Sequence, residues 1–278
     1  MRADMHLHTY YSDGAVSPER VFEKAAQRGL GFICITDHDN ICPKERLVAA
    51  RGNLPVQFVP AIEVSAYWND VKIHMLYYNP DLENSDLKSF LKELKEGSYR
   101  RTEVILKKLK ECGINLTVKE VEAQKTIPDS PIHAMHISNA GMKKGYAESE
   151  FKFYSNYLMW GKPAFTTEGR PSPERTAEIG AAVGAVVSLA HPGRIDLDKN
   201  TLKKGIVRLQ SCGLNGIEGV YTTHTELETA YFKEIAKELN LFVTGGSDTH
   251  FECDGRHEMG VPEFHPDEKL LQVLKICQ

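Results

Sequence analysis

None of the six cysteines (Cys34, Cys42, Cys112, Cys212, Cys253, Cys277) forms a C-x-x-C pair. They read as reduced core or surface thiols, neither a disulfide framework nor a zinc knuckle, and a chain of 278 residues buries enough core to need no disulfide staple. Basic residues are not in excess: 34 Lys and Arg stand against 38 Asp and Glu, a formal net charge of −4. A surface that generally coats nucleic acid is thereby disfavoured, and duplex DNA is not an expected partner. No apolar run approaches the length of a membrane span, so no membrane partner is expected either. Internal repeats, low-complexity tracts and Pro/Ser-rich linkers are also missing. The amino terminus, Met1-Arg2-Ala3-Asp4, runs straight into functional-looking residues and leaves no room for a signal peptide. A cytoplasmic α/β protein with one core is the expectation.

What is present is an alternation of short apolar runs and helical segments. Strands are predicted near Ala3–His8, Phe32–Asp37, Val56–Ser65, Val71–Tyr77, Ala185–His191, Gly216–Val220 and Leu241–Ser247. Ser17-Pro18 supplies a cap and a first-turn proline for a helix that Gly29 stops; Ser172-Pro173 and Gly184 repeat the device. Thr223 or Thr225 caps a helix ending near Asn240, with Leu227, Tyr231, Ile235 and Leu239 as its apolar face. Such alternation implies a mostly parallel sheet, and seven strands suffice for a barrel with its chemistry at the carboxyl ends. Residues 81–164 break the pattern. That stretch reads as helical and is too long for a loop, so an inserted lid or subdomain is expected. Its aromatic run (Tyr146, Phe151, Phe153, Tyr154, Tyr157, Trp160) reads as the core of that insertion in preference to a base-stacking platform.

The histidines are not scattered like filler. His6 and His8, two apart in a strand, point to one face, and Asp248 and His250 repeat the spacing as the last strand ends. In a closed barrel the first and last strands are neighbours, which brings the two pairs to one rim. Asp13 follows the first strand, Asp37-His38 ends the second, Glu63 sits late in the third and His74 lies in the fourth. Singly each has a plain reading: Asp13 as a turn residue in Ser12-Asp13-Gly14, His-x-His as packed imidazoles. Together they are a nitrogen and oxygen donor set suited to Zn²⁺, Mn²⁺ or Fe²⁺, and burying so many ionisable groups on one rim without a cation is costly.

Met5-His6-Leu7-His8-Thr9 with Ser12-Asp13-Gly14, Ile35-Thr36-Asp37-His38-Asp39, Ala61-Ile62-Glu63-Val64-Ser65, His74, Ala190-His191-Pro192-Gly193-Arg194 and Gly246-Ser247-Asp248-Thr249-His250 occur in this order. In these motifs the chain resembles the PHP (polymerase and histidinol phosphatase) phosphoesterases over nearly its whole length. It is most similar to a stand-alone branch that includes a ribonuclease removing 5′ nucleotides and nucleoside 3′,5′-bisphosphate phosphatases. The resemblance implies a distorted seven-stranded (β/α)7 barrel forming a single domain over residues 1–278, with a helical insertion at about 81–164. It also implies two or three divalent transition-metal ions (Mn, Zn or Fe). One ion would take His6, His8, Glu63 and Asp248. A second would share Glu63 and add His74 and a histidine of the insertion, for which His136 fits better than His133. The third would take Asp13, His38 and His250. The branch has Arg-Pro before the inserted histidine where this chain has Ala134-Met135, so an arginine able to contact phosphate is missing here.

Hydrolysis of a small phosphate ester is the expected reaction, with a nucleoside 3′,5′-bisphosphate or the 5′ end of a short RNA as substrate. Glu63 is the expected bridge between ions. His191 and Arg194 can both donate to an oxyanion, which makes them candidates for phosphate binding, and His191 the candidate acid for the leaving oxygen. Rival readings are a histidinol-phosphate or sugar-phosphate phosphatase, a metal-dependent amidohydrolase and a non-catalytic metal-bound regulatory domain. The amidohydrolase needs fewer ions than this donor set offers, and the regulatory domain is disfavoured because no ligand is evidently missing.

Overall fold

The computed structural model describes residues 1–250 and 257–276; Cys253 and Cys277 fall outside the described residues. In chain order the first elements are β1 (Ala3–Leu7), α1 (Pro18–Gln27), β2 (Phe32–Ile35), α2 (Lys44–Arg51), β3 (Gln57–Phe58), β4 (Ala61–Trp68) and β5 (Val71–Tyr78). Then come the long helix α3 (Ser85–Glu111) and the short helices α4 (Val118–Glu122), α5 (Ala134–Lys143) and α6 (Glu150–Phe153). The chain resumes its alternation with α7 (Pro173–Ala182), β6 (Val186–Leu189), α8 (Lys199–Ser211), β7 (Gly216–Tyr221), α9 (Glu226–Glu238), β8 (Phe242–Gly246) and α10 (Glu268–Leu274). Ser17 and Ser172 cap α1 and α7, accepting hydrogen bonds from the N–H groups of Arg20 and Arg175, with a proline following each. Thr225, not Thr223, caps α9 through a reciprocal capping box with Glu228. The buried face of α9 is Phe232, Ile235 and Ala236, whereas Leu227 is 82% exposed.

The seven-stranded closed sheet is replaced by two sheets, one of three strands (β1-β2-β3) and one of five (β4-β5-β6-β7-β8). Two local causes account for the difference. Val59-Pro60 splits the third predicted strand into β3 and β4, since proline has no N–H for a ladder. Asn69, with φ 52°, turns β4 directly back into β5, so β4–β5 pairs antiparallel, as does β5–β6. The remaining pairs are parallel. Single bridges join the sheet edges: His38 with Glu63 on one side, Leu7 with Thr249 on the other. At the second seam Asp248 N donates to His6 O at 2.8 Å and His8 N to Thr249 O at 3.0 Å. Gly246 permits this approach, because a Cβ there would sit 2.5 Å from His6 N.

Two compact units are distinguished, Met1–Lys88 with Ser172–Gln278, and Ser89–Pro171. In the first, one apolar cluster joins strand residues such as Met5, Phe32, Leu76 and Val186 to Leu270, Leu271 and Leu274 of α10. Another packs Leu7, Ile33 and Ile35 against Val21 and Phe22 of α1 and Leu47 of α2. The second unit has its own core, including Ile105, Leu109, Ile137 and the fully buried Phe153, with Tyr146, Tyr154 and Tyr157 packed partly buried against it. Phe151 and Trp160, at 65% and 64% exposed, do not join that core as expected. No helix among the described residues is long and apolar enough to cross a membrane.

Candidate metal centre

Strands and the loops that follow them deliver the donors, Glu63 and His74 from within β4 and β5 and not from their carboxyl ends. His6 lies in β1 and His8 one residue beyond it; His38 follows β2, Glu63 is the third residue of β4 and His74 the fourth of β5. Asp248 and His250 follow β8. Asp13 reaches the same place because the Ser12-Asp13-Gly14 turn lies flat on His8; a Cβ on Gly14 would stand 2.6 Å from the His8 carbonyl carbon. Three site residues, Asp39, His191 and Asp248, hold positive φ values of 51°, 28° and 55°. Non-glycine residues rarely do so, and such strain gathers at functional sites.

Donor atoms of His6, His8, Glu63 and Asp248 lie within 4.8 Å of one another, and all four residues are buried. His6 Nε2 is 3.3 Å from Glu63 Oε2 and 3.5 Å from Asp248 Oδ1; His8 Nε2 is 3.2 Å from each of these oxygens. A tetrahedral ion with metal–donor distances of about 2.0–2.1 Å has donor–donor edges of about 3.3–3.4 Å, so these separations fit one. No hydrogen bond reaches His6 Nε2, His8 Nε2 or Glu63 Oε2, all buried. Buried polar atoms without partners are expensive, and a cation at their focus would satisfy all of them. The residues fit a metal ion.

Glu63 is shared. Its Oε2 also stands 2.9 Å from His38 Nδ1, while Oε1 lies 2.6 Å from His74 Nδ1 and 3.0 Å from His191 Nε2. His38, Glu63 and His74 form a second donor set, and His8, Asp13, His38 and His250 a third. His191 Nε2 is also 3.2 Å from His74 Nδ1. His136 is the histidine expected from the insertion. It is buried on the first turn of α5 in the second unit, and its Nδ1 accepts a hydrogen bond from the His133 N–H at 3.0 Å. A neutral imidazole accepting at Nδ1 carries its proton on Nε2. Arg194 donates through Nη1 to Tyr221 Oη at 2.8 Å and to Asp248 Oδ2 at 3.3 Å, with about half its side chain exposed.

Several groups escaped the sequence reading. Glu218 of β7 is completely buried and faces His6 Nδ1 at 2.9 Å. Tyr221 donates to Asp248 Oδ2 at 2.8 Å. Asp37 is no ligand: its oxygens accept from Thr9 N, Thr9 Oγ1 and Ser12 Oγ at 2.7–2.8 Å, which ties the loop after β1 to β2. Asp4 accepts from Ser247 N and Gly260 N in the same way. His224 accepts from the Gly193 N–H at 3.1 Å. The signal for Glu218 and Tyr221 was a carboxylate and a phenol inside an apolar strand, Gly216-Ile-Glu-Gly-Val-Tyr221.

The carboxylates favour the protonated forms of His6 and His8. Burial opposes a charge on His8, but Asp248 and Glu63 outweigh it and push its pKa up to about 10. His6 is likewise raised well above the usual imidazole range, burial being overcome by Glu218, Glu63 and Asp248. Glu63 and Asp248, despite burial, are held well below the carboxylate range by the surrounding histidines. The His8 shift has a definite sign. With an unfolded value of about 6.5, its protonation stabilises the metal-free fold fully below that pH, and this stabilisation is lost as pH rises through about 10. Metal binding requires the deprotonated ring, so it tightens over the same window. Thermal melts from pH 7 to 10 should fall for metal-free protein and hold for zinc-loaded protein. Parallel curves would show that no proton competes with the ion.

A PHP domain model matches residues 4–146. The chain belongs to the PHP domain family. With its donor sets assembled, this PHP protein is a metal-dependent phosphoesterase. It is 27% identical over 263 residues to a 3′,5′-nucleoside bisphosphate phosphatase of Chromobacterium violaceum, covering 95% of this chain and 92% of that protein. With the 5′-3′ exoribonuclease Rnm of Escherichia coli it shares 26% identity over 253 residues, 90% of this chain and 85% of the relative. Among solved structures, a Bifidobacterium adolescentis protein described as a candidate metal-dependent phosphoesterase superposes with a TM-score of 0.84. That chain is 25% identical, and the match covers 98% of this chain and 95% of that one.

Proposed function

We propose that this protein hydrolyses phosphate esters of small nucleotides, either nucleoside 3′,5′-bisphosphates or the 5′ ends of short RNA, at a centre of two or three divalent transition-metal ions (Mn, Zn or Fe). The observation that carries the reading is Glu63, whose two carboxylate oxygens face different histidines. His6, His8, Glu63 and Asp248 would hold the first ion; Glu63, His74 and His191 a second; Asp13, His38 and His250 the third. His191 stands in this assignment where the family resemblance implies His136, because its Nε2 lies 3.0 Å from Glu63 Oε1 and 3.2 Å from His74 Nδ1. The chain is read as one phosphoesterase domain over residues 1–278, with the unit Ser89–Pro171 as its helical insertion. A cytoplasmic location belongs to the same reading, supported by the free thiols of Cys34, Cys42, Cys112 and Cys212.

Bound divalent ions supply a water of lowered pKa and positive charge for the phosphoryl oxygens. The protein's own groups do the rest. Arg194, anchored through Nη1 on Tyr221 and Asp248, offers its remaining guanidinium N–H groups to a phosphate oxygen. Tyr221 and Glu218 hold Asp248 and His6 in orientation. Arg194→Ala is expected to raise KM for a nucleoside bisphosphate roughly 10- to 100-fold, the effect of losing one hydrogen bond to a charged group. An unchanged KM would remove Arg194 from the phosphate pocket.

Substrate choice rests on the two nucleotide-acting relatives and on the negative net charge. A kinetic screen decides it, with adenosine 3′,5′-bisphosphate, 5′-phosphorylated oligoribonucleotides of two to five residues, histidinol phosphate, sugar phosphates and duplex DNA. The nucleotides should lead and duplex DNA stay intact. A sugar phosphate or histidinol phosphate ahead by a wide margin would overturn the nucleotide assignment and leave the phosphoesterase standing.

A further inference from the structure

Glu218 is fully buried in β7, between Ile217 and Gly219. Its two oxygens serve different parts of the centre: Oε1 lies 2.9 Å from His6 Nδ1, and Oε2 accepts from the His191 backbone N–H at 2.6 Å. His191 is one of the residues with positive φ, at 28°, and this hydrogen bond fastens its backbone in that conformation. We infer that Glu218 is a positioning residue that sets the His6 ring as a metal ligand and fixes the backbone of His191, one carboxylate thereby aligning donors on both sides of Glu63. This rests on the metal-centre reading above.

The argument is one of donors and acceptors. A backbone N–H only donates, and an ionised carboxylate only accepts. His6 must therefore carry its proton on Nδ1, which turns the lone pair of Nε2 toward Glu63 Oε2 and Asp248 Oδ1, at 3.3 and 3.5 Å. The opposite tautomer would aim an Nε2 hydrogen at those same two carboxylates, and that hydrogen would stand where a cation belongs. Glu218 selects against it. A carboxylate behind a ligating imidazole also raises the basicity of the ring.

Glutamine cannot substitute, although its size is the same. An amide has one acceptor and one donor end. With its oxygen on the His191 N–H, its NH₂ faces His6 Nδ1 and selects the non-ligating tautomer. Turned round, its NH₂ meets the His191 N–H, donor against donor. Glycine and isoleucine neighbours offer no other acceptor side chain next to Glu218 in β7.

Two measurements test this. In zinc-loaded, ¹⁵N-labelled wild-type protein, long-range ¹H–¹⁵N spectra should show His6 with its proton on Nδ1 and zinc on Nε2. Chelator competition should show Glu218→Gln binding its tightest Zn²⁺ roughly 10- to 100-fold more weakly than wild type, as loss of an outer-shell partner does. A His6 proton on Nε2 in the wild type, or an affinity unchanged within about twofold in the variant, overturns the inference. If Glu218→Gln does not fold, the wild-type spectrum decides alone. Wild-type protein that takes up no zinc would instead contradict the metal-centre reading itself, a result distinct from bound zinc with the wrong His6 tautomer.

Discussion

Glu63→Gln is expected to lower phosphate release by at least about 10³-fold, well beyond the 10- to 100-fold cost of an outer-shell change, and to lose more than one equivalent of metal. Glu63 is fully buried, and its oxygens lie within 3.3 Å of nitrogens from His6, His8, His38, His74 and His191. A glutamine keeps the volume but removes the charge that faces these rings. It also turns N–H hydrogens toward nitrogens whose lone pairs are needed for metal. Elemental analysis alongside steady-state kinetics checks the result. A variant that keeps its full metal content and stays within about tenfold of wild type would show that Glu63 bridges nothing.

The second large effect concerns His191. As a donor beside Glu63 Oε1 and His74 Nδ1, it should take an ion with it when replaced. His191→Ala is expected to lose one metal equivalent and to slow hydrolysis of alcohol and nitrophenolate esters alike, on the order of 10²-fold or more. A leaving-group acid behaves differently: its removal spares the metals and slows the alcohol ester selectively, because nitrophenolate needs little protonation. His136→Ala is the companion variant. With Nδ1 engaged by the His133 N–H, His136 should be replaceable without loss of metal. The reverse pattern, metal lost with His136 and kept with His191, would restore the assignment suggested by family resemblance.

Much of this centre was legible in the chain because its donors sit at fixed offsets from strands. His6 and His8 share a face by strand periodicity alone, and Asp248 and His250 mark the end of the strand that meets β1. The caps at Ser17 and Ser172 were equally plain, being local. What was not legible depended on distant partners or on phase. Glu218 finds His6 212 residues away, and nothing near it in sequence announces the pairing. His191 brings its Nε2 to 3.0 Å from Glu63 Oε1 across 128 residues, from a backbone with φ of 28° that no local pattern announces. On α9, Leu227, Tyr231, Ile235 and Leu239 are four apart, and each such step drifts by about 40° on a helix of 3.6 residues per turn. Over three steps the stripe leaves the buried face, which is why Phe232 and Ala236 bury and Leu227 does not. Pro60 was visible, but its power to divide a strand into two sheets depended on where Glu63 had to pair.

The central claim is that phosphate ester hydrolysis requires the donor sets gathered around Glu63 to be filled together. The most direct test is to strip the protein of metal and titrate it with Mn²⁺, following bound metal and orthophosphate release from adenosine 3′,5′-bisphosphate in the same samples. Release should remain at background through the first equivalent and rise as the second binds. Full activity in the stripped protein or with a single equivalent, or no release at saturating metal, would contradict the account.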